Sequence, residues 1–494
     1  MKRAFLISCF ALCAAEGYSQ VQQAWVKRYS LVSSATNQAT AIALSPEGNV
    51  VVAGSSASTN GDCDYVIIKY APNGQQIWLT RYDSPANGAD FLRGMAQDSN
   101  GNVVVTGTSK TLKLNSGGTP VWTSPFPGRA VVAGQSDIYV TGFSELDFAT
   151  AKLNGTNGTN LWTRTYDKLA QPDVSQVVAL DATENVYVAG VETYTCVPPE
   201  GCKQQIALIK YDSIGNPGWT NHFPYSGSYA NHVEATGISC VATNVVLTGN
   251  SRGDFSYGTG RFDPGGVQSW FYYLDSDGLG AYEGNGRAMI VEASGNVYVT
   301  GSQSKNYPNY VCATVKVGTN GHKVWLSQYQ GPVQGLHQGN AVSLDNIGNV
   351  YVAGQSPGNG TGNDIVALKY DGNGNQLWVQ RYDGPAHGDD IATGIVVDNQ
   401  ANVYVTGYSA TTNGGTEFVT IKYAQLTNIQ KKTDSSIQLQ FFGTPGSNYG
   451  FQATTNFLNW TNLGLVSADT NGIFQFCDTN APSFPYRFYR YYFP

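Results

Sequence analysis

One strand-like segment recurs along the whole chain and restricts the folds open to it. GNVVVAGSS occupies residues 48–56, GNVYVAGQS occupies 348–356 and ANVYVTGYS occupies 401–409. The copies end at eight glycines, which are Gly54, Gly107, Gly142, Gly190, Gly249, Gly301, Gly354 and Gly407. A repeat of roughly 50 residues indicates an architecture in which each unit buries its apolar surface against the next one.

Each repeat contains three further strand-like segments. A segment ending in a Lys-Tyr-like pair follows the first, as in VIIKY (66–70), and a segment beginning with Trp comes next, as in WLTRY (78–82). A short segment of small residues, as in AVSL (341–344), precedes the glycine-ended one. Gly- and Asn-rich turns connect these segments. The pattern therefore predicts an all-β protein, a β-propeller with eight four-stranded blades.

Residue size predicts the order of the strands within a blade. The small-residue segment suits the crowded axis of the ring, and the Trp segment suits the wide rim. The last repeat ends at VTIKY (419–423) with no Trp segment after it, whereas AWVKRY (24–29) stands before the first repeat. We therefore predict that residues 24–29 form the outermost strand of the last blade, which closes the ring and covers a strand edge.

The ends of the chain predict an exported protein with a second, smaller domain. Residues 1–19 combine two basic residues, an apolar run and small residues, which is typical of a secretory signal peptide. We predict a propeller over 20–423, a polar linker over 424–436 and a small β-sandwich over 437–494. No other segment is apolar over the length that a membrane span needs. We expect a monomer that is secreted, periplasmic or at the cell surface.

Composition and short motifs narrow the possible chemistry. The net charge is -7 and 13% of the residues are charged, so the chain lacks the basic surface that binds nucleic acid. Because export permits disulfides, the spacing of Cys196 and Cys202 favours a local disulfide over a metal site. The sequence contains no nucleophile elbow, His-Glu-x-x-His motif or phosphate loop. We expect no catalytic residues and no cofactor, with calcium as the alternative.

The loops between each Trp segment and the next small-residue segment contain the candidate ligand-binding residues. In a propeller these loops surround one mouth of the central channel. A ring of carboxylates and imidazoles there could hold a divalent cation or a polar ligand. In the structural alternative, each Asp accepts hydrogen bonds from backbone amides of its own turn. The possible mouth residues are Asp83, Asp90, Asp167, Asp173, Asp383, His387, Asp389 and Asp390, with His232 and His337 in loops of the same class.

The repeats resemble those of a bacterial family of secreted β-propeller proteins. One shared motif, D-x-x-G-N-x-Y-V-x-G, matches DNIGNVYVAGQS (345–356), and the other, D-(F/Y)-x-x-x-K-(L/Y)-x-x-x-G, matches DYVIIKYAPNG (64–74). The resemblance covers about 400 residues and implies a propeller and a secreted location. The family is usually described as seven-bladed, whereas the repeats here number eight. It implies no shared catalytic residues.

Two turns are similar to the tryptophan-docking turns of eight-bladed quinone-cofactor dehydrogenases. KLNGTNGTNLW (152–162) and KVGTNGHKVW (316–325) both place a glycine four residues before a Trp. Those enzymes also use adjacent cysteines and acidic calcium ligands beside the cofactor, and this sequence has no Cys-Cys pair. We therefore interpret the Trp turns as contacts between blades.

These features favour a secreted, non-enzymatic propeller that acts as a binding or scaffold surface for a protein or glycan partner. The alternative is a secreted hydrolase or lyase that acts on carbohydrate through acidic mouth residues. The C-terminal segment, with LNWTNLG and RFYR, resembles small β-sandwich modules of exported bacterial proteins. Its aromatic residues either dock to a partner or form its own core. We interpret the RGD at 252–254 as a chance tripeptide and DGNGNQ from Asp371 as a hairpin turn.

Overall fold

The computed structural model describes residues 21–59, 61–84, 88–144, 147–167, 169, 171–197, 201–223, 233–251, 256–274, 284–306, 309–425, 429–442, 446, 448–456, 458–469 and 473–492. The predicted signal peptide and the RGD tripeptide lie outside these residues.

Eight four-stranded antiparallel sheets form the repeat region, and each is one blade. The inner strands are Asn37–Leu44, Leu92–Gln97, Ala130–Ala133, Val174–Leu180, Val233–Val241, Gly284–Val291, Gln338–Leu344 and Asp390–Val397. The second strands are Val50–Ala57, Val103–Gly107, Ile138–Ser144, Val186–Val197, Asn244–Ser251, Val297–Asn306, Val350–Pro357 and Val403–Ala410. The third strands are Cys63–Tyr70, Thr111–Leu114, Asp147–Leu153, Gly201–Tyr211, Ser256–Phe262, Asn309–Val317, Asn363–Tyr370 and Thr416–Gln425. The outer strands of blades 1 to 7 are Gln76–Tyr82, Pro120–Ser124, Asn160–Tyr166, Pro217–His222, Gln268–Tyr273, Lys323–Tyr329 and Gln376–Tyr382.

The blades form a closed ring. Each inner strand contacts the inner strand of the next blade, and the inner strand of blade 8 contacts that of blade 1. The outer strand of blade 8 is Val21–Tyr29, which pairs antiparallel with Thr416–Gln425. The predicted strand order and the predicted closure by residues 24–29 are both confirmed.

In seven of the eight blades, a glycine of the second strand lies where the inner strand contains an extra residue. In blade 1 the pairing shifts by one residue opposite Gly54, so that Thr40 has no partner in the ladder. This is a β-bulge. A Cβ added to Gly54 would lie 2.1 Å from the Gln38 carbonyl oxygen, and one added to Gly354 would lie 1.8 Å from the Gln338 carbonyl oxygen. The glycine is therefore required by the backbone of the bulged inner strand.

Tryptophan connects each outer strand to the following blade. The Trp325 ring lies against Gly374, whose φ is +86°, and its indole N–H donates to the Gly372 carbonyl at 3.1 Å. Both glycines belong to the turn between the third and outer strands of blade 7. The same indole-to-carbonyl bond joins Trp25 to Pro72, Trp78 to Ser116, Trp122 to Gly155, Trp162 to Ser213, Trp219 to Pro264 and Trp270 to Thr319.

Trp378 of blade 7 is the exception, and the ring closure explains it. It packs in the same apolar cluster as Val403 and Tyr423 of blade 8. Blade 8 has no turn between its third and outer strands, because its outer strand comes from the other end of the chain. Among the described residues, the buried Trp378 Nε1 has no hydrogen-bond partner.

A carboxylate organises the turn between the inner and second strands. Asp345 accepts hydrogen bonds from the amides of Ile347 and Asn349, at 3.1 and 2.9 Å, and from the Tyr351 hydroxyl at 2.9 Å. These contacts account for the Asp, Asn and Tyr of the D-x-x-G-N-x-Y motif. At the equivalent Asp181, burial works to raise the pKa, but hydrogen bonds from Asn185 and Thr183 lower it overall.

Two three-stranded sheets form the C-terminal β-sandwich. One consists of Ile429–Lys431, Ile437–Phe442 and Ile473–Asp478, and the other of Thr461–Ser467, Asn448–Thr454 and Phe488–Tyr492. The core contains Phe441, Tyr449, Phe451 and Phe474, so these aromatic residues pack inside the module. Strand Ile429–Lys431 lies within the segment predicted as linker. In the described part of the chain, no helix is long and apolar enough to cross a membrane.

Replacement of Trp by Phe separates the indole hydrogen bond from ring packing. We expect Trp325→Phe to lower the free energy of unfolding by about 1 kcal/mol, since it removes one hydrogen bond and leaves the Gly372 carbonyl unpaired. Trp378→Phe, the matched control, removes a buried donor that has no partner and should cost less. Denaturant unfolding of both variants checks this, and an equal loss in both would contradict the assignment of the hydrogen bond.

Candidate functional site

The bulged residues form one level of the channel wall, at which the blades differ from one another. In blade 3 the corresponding residue is Arg129, whose amide donates to the Thr141 carbonyl beside the Ala130–Thr141 pair. The glycine opposite the bulge is repeated, whereas the bulged residue varies. The eight residues are Thr40, Arg93, Arg129, Gln176, Thr236, Arg287, Asn340 and Thr393.

Three neutral residues of this level bridge to the inner strand of the next blade. Their side chains bond to backbone groups at the strand edge that faces the channel, so they occupy hydrogen-bonding groups that an added strand would need. The bonds join Gln176 to the Ala235 amide at 2.7 Å, Asn340 to the Ala392 carbonyl at 2.9 Å and Thr393 to the Ala39 carbonyl at 2.8 Å.

The three arginines at this level are exposed. Arg287 lies 3.8 Å from the Glu234 carboxylate, whereas the side chains of Arg93 and Arg129 form no hydrogen bond or ion pair with any described residue. Partial burial lowers the pKa of the Arg129 guanidinium, the charge of Arg93 lowers it further, and Glu234 of blade 5 acts in the opposite direction.

Three of the predicted mouth carboxylates are buried and accept hydrogen bonds from backbone amides. Asp90 accepts from the Ser84 amide at 2.8 Å and Asp173 from the Thr193 amide at 2.8 Å, while Asp390 accepts from the Gly384 amide. Ser84 and Gly384 lie in the loops that precede the inner strands of blades 2 and 8, whereas Thr193 belongs to the second strand of blade 4. Burial raises the pKa of Asp173 to about 6.

The other predicted mouth residues are distributed over separate contacts. The exposed Asp383 carboxylate and His387 imidazole form a hydrogen bond at 2.6 Å. Asp389 accepts from the Asn363 amide and side chain, both at 2.9 Å, and Asp167 accepts from the Leu169 amide at 3.1 Å.

The two further histidines do not join these contacts. His337 is buried and bonds to the Ser356 hydroxyl at 2.8 Å, and burial lowers its pKa. His232 lies outside the described residues. The structure thus does not gather the predicted residues into one site.

Asp83 joins an acidic group that sequence reasoning only partly found. One carboxylate oxygen from each of Asp62, Asp64 and Asp83 lies within 4.8 Å of the others. Asp64 is buried and paired with Arg81, and its pKa is raised mainly by burial, with added repulsion from Asp83 and Asp62. Asp62 and Asp64 in GDCDY are two residues apart, a spacing that places side chains on one side of an extended segment. This spacing is the sequence feature that could have predicted the acidic group.

Cys196 and Cys202 are joined by a disulfide. The two residues pair directly across the hairpin between the second and third strands of blade 4. The bond therefore links the two strands close to the loop that connects them.

The comparisons with known proteins concern the fold. No protein-family model matches the chain, and no curated protein sequence does. BamB from Moraxella catarrhalis matches with a TM-score of 0.50 and 15% identity, over 82% of this chain and 100% of BamB. The chain is a β-propeller.

Two further structures support this fold assignment. The Dos1 propeller matches with a TM-score of 0.52 and 10% identity, over 81% of this chain and 95% of Dos1. Quinohemoprotein alcohol dehydrogenase from Comamonas testosteroni matches with a TM-score of 0.51 and 10% identity, over 82% of this chain and 76% of the enzyme. At these identities the matches assign the propeller fold and leave the activity open.

The raised pKa of Asp173 predicts that this carboxyl group destabilises the folded state in a pH-dependent way. Its folded-state pKa of about 6 lies above the unfolded value near 4, so the folded state binds the proton more tightly. The wild type should therefore lose stability relative to Asp173→Asn as the pH rises through this window. Melting temperatures measured from about pH 4 to about pH 7 check this. A pH-independent difference between the two proteins would contradict the burial effect.

Proposed function

We propose that the mature chain is an exported binding or scaffold protein that holds a protein or glycan partner in its channel, without a chemical step. The proposal depends on one observation. The eight residues at the bulge level supply hydroxyl, amide and guanidinium groups, and none of them is an acid or a histidine. Such side chains bind and orient a polar ligand through hydrogen bonds and charge.

The positions of the mouth carboxylates favour binding over hydrolysis. Glycoside hydrolysis generally needs two carboxyl groups that face the same bond. Asp90, Asp173 and Asp390 are buried and accept hydrogen bonds from backbone amides, and Asp383 is paired with His387. These carboxylates already have structural contacts, which supports the binding function.

Export and a monomeric state belong to the same proposal. The signal-like segment at 1–19 supports secretion to the periplasm, the cell surface or the medium. The disulfide between Cys196 and Cys202 suits an oxidising compartment. The ring buries its own strand edge through Val21–Tyr29, so it needs no second copy to close.

Arrays of glycans and peptides test the proposal with the purified mature chain. We expect a bound ligand to be recovered intact by mass spectrometry. Thr40→Trp, which fills part of the channel at the bulge level, should weaken binding at least about tenfold, because a ligand and an indole cannot share that space. Ile347→Trp is the matched control, since Ile347 is 84% exposed on a turn between inner and second strands.

Two results would contradict the binding function. Recovery of a cleaved glycan would favour the hydrolase or lyase alternative. Equal binding by the wild type and Thr40→Trp would remove the channel as the binding site.

We also propose a second candidate function, the binding of a divalent cation by Asp62, Asp64 and Asp83. The observation that favours it is the spacing of their carboxylate oxygens, within 4.8 Å of one another. Burial is the main cause of the raised pKa of Asp64, and repulsion from Asp83 and Asp62 adds to it. Calcium prefers such oxygen ligands and would reduce that repulsion. The pairing of Asp64 with Arg81 works against a tightly bound cation.

Calcium addition after treatment with a chelator tests the cation site. We expect millimolar calcium to raise the melting temperature of the wild type and of Asp389→Asn, but not that of Asp83→Asn. Asp389 is the matched control because it is another exposed mouth carboxylate, bonded to Asn363. An equal response in all three proteins would contradict a site at Asp83.

A further inference from the structure

We propose that Arg93 and Arg129 form an oxyanion-binding site in the channel, which holds a carboxylate group of an acidic oligosaccharide. The inference rests on the proposed binding function and specifies its ligand. Arg93 is the bulged residue of the inner strand of blade 2, and Arg129 directly precedes the inner strand of blade 3 at the corresponding position. Neither arginine belongs to a repeated motif, because this position holds different residues in different blades.

The backbones of the two arginines are held close together. Gly94, the residue after Arg93, is so near blade 3 that an added Cβ would lie 3.2 Å from the Arg129 carbonyl oxygen and 3.3 Å from the Ala130 Cα. Both side chains are exposed, and they originate at the same level of the channel wall. Two guanidinium groups can therefore reach the same ligand from adjacent blades.

The described part of the chain supplies no ion-pair partner for either guanidinium group, although the chain as a whole has a net charge of -7. Glu234, which acts on Arg129 electrostatically, lies 3.8 Å from Arg287 and is paired with it. Two neighbouring guanidinium groups repel each other, and a bound carboxylate, whose geometry matches theirs, would offset that repulsion.

The channel wall favours an oligosaccharide over a peptide as the source of the carboxylate. An extended peptide would bind by pairing its backbone with the free edge of an inner strand. At the bulge level several edge groups are already bonded to side chains, those of Gln176, Asn340 and Thr393. The bulges also interrupt the regular row of backbone groups that such pairing requires. A ligand recognised through side chains, such as a uronate oligomer, fits this wall better.

Calorimetric titration with tetragalacturonate tests the proposal on the mature chain. We expect binding by the wild type that weakens as salt is raised, and a loss of about tenfold or more in each of Arg93→Gln and Arg129→Gln, as for a charge-assisted hydrogen bond. The charge-matched control is Lys431→Gln, in an exposed residue of the C-terminal module, which should bind like the wild type. Melting temperatures confirm that every variant is folded. Maltotetraose, which lacks carboxylates, should not compete.

Three outcomes would overturn the inference. The first is no binding of tetragalacturonate by the wild type, and the second is equal affinity of the wild type and both arginine variants. The third is arginine-dependent binding of a tetraglutamate peptide without binding of tetragalacturonate, which would contradict the ligand class. If one of these outcomes is found while Thr40→Trp still weakens binding of a ligand from the arrays, the arginine site fails and the proposed binding function stands.

Discussion

The close approach of two backbones at a glycine determines the interior of this propeller. At six of the second-strand glycines a backbone carbonyl oxygen lies 1.7 to 2.1 Å from where a Cβ would be, so any other residue would push the strands apart; they are Gly54, Gly107, Gly190, Gly301, Gly354 and Gly407. The space left by the missing side chain accommodates a β-bulge in the inner strand. The bulge in turn adds one residue per blade to the channel wall. The repeated glycine and the variable bulged residue thus lie opposite each other in the same pair of strands.

A second repeated contact, from tryptophan to the next blade, holds the ring together at its rim. Seven indoles donate to a carbonyl in the following blade, and only the junction between blades 7 and 8 lacks this bond in the described part of the chain. At that junction the ends of the chain meet, and Val21–Tyr29 completes the last sheet. There, the pairing of the closing segment with Thr416–Gln425 joins the two ends of the repeat region.

The sequence predicted the fold because the fold is repeated. Eight copies of one pattern identify the strands, their order and the unpaired outer strand at 24–29, since each copy supports the interpretation of the others. The channel residues could not be predicted in the same way. Arg93 and Arg129 become neighbours only through the packing of blade 2 against blade 3, which a repeat pattern does not reveal. The loop acids are prominent in the sequence, yet Asp90, Asp173 and Asp390 accept hydrogen bonds from backbone amides, because a buried amide needs an acceptor.

We propose that the ring is a scaffold and that the function lies in the channel, where the blades differ. Hydrogen–deuterium exchange with and without a ligand identified on the arrays distinguishes the channel from the C-terminal module as the binding site. We expect increased protection in the inner strands, above all at 92–97 and 128–133. Protection confined to the C-terminal module, residues 429–492, with unchanged exchange in the inner strands, would contradict it.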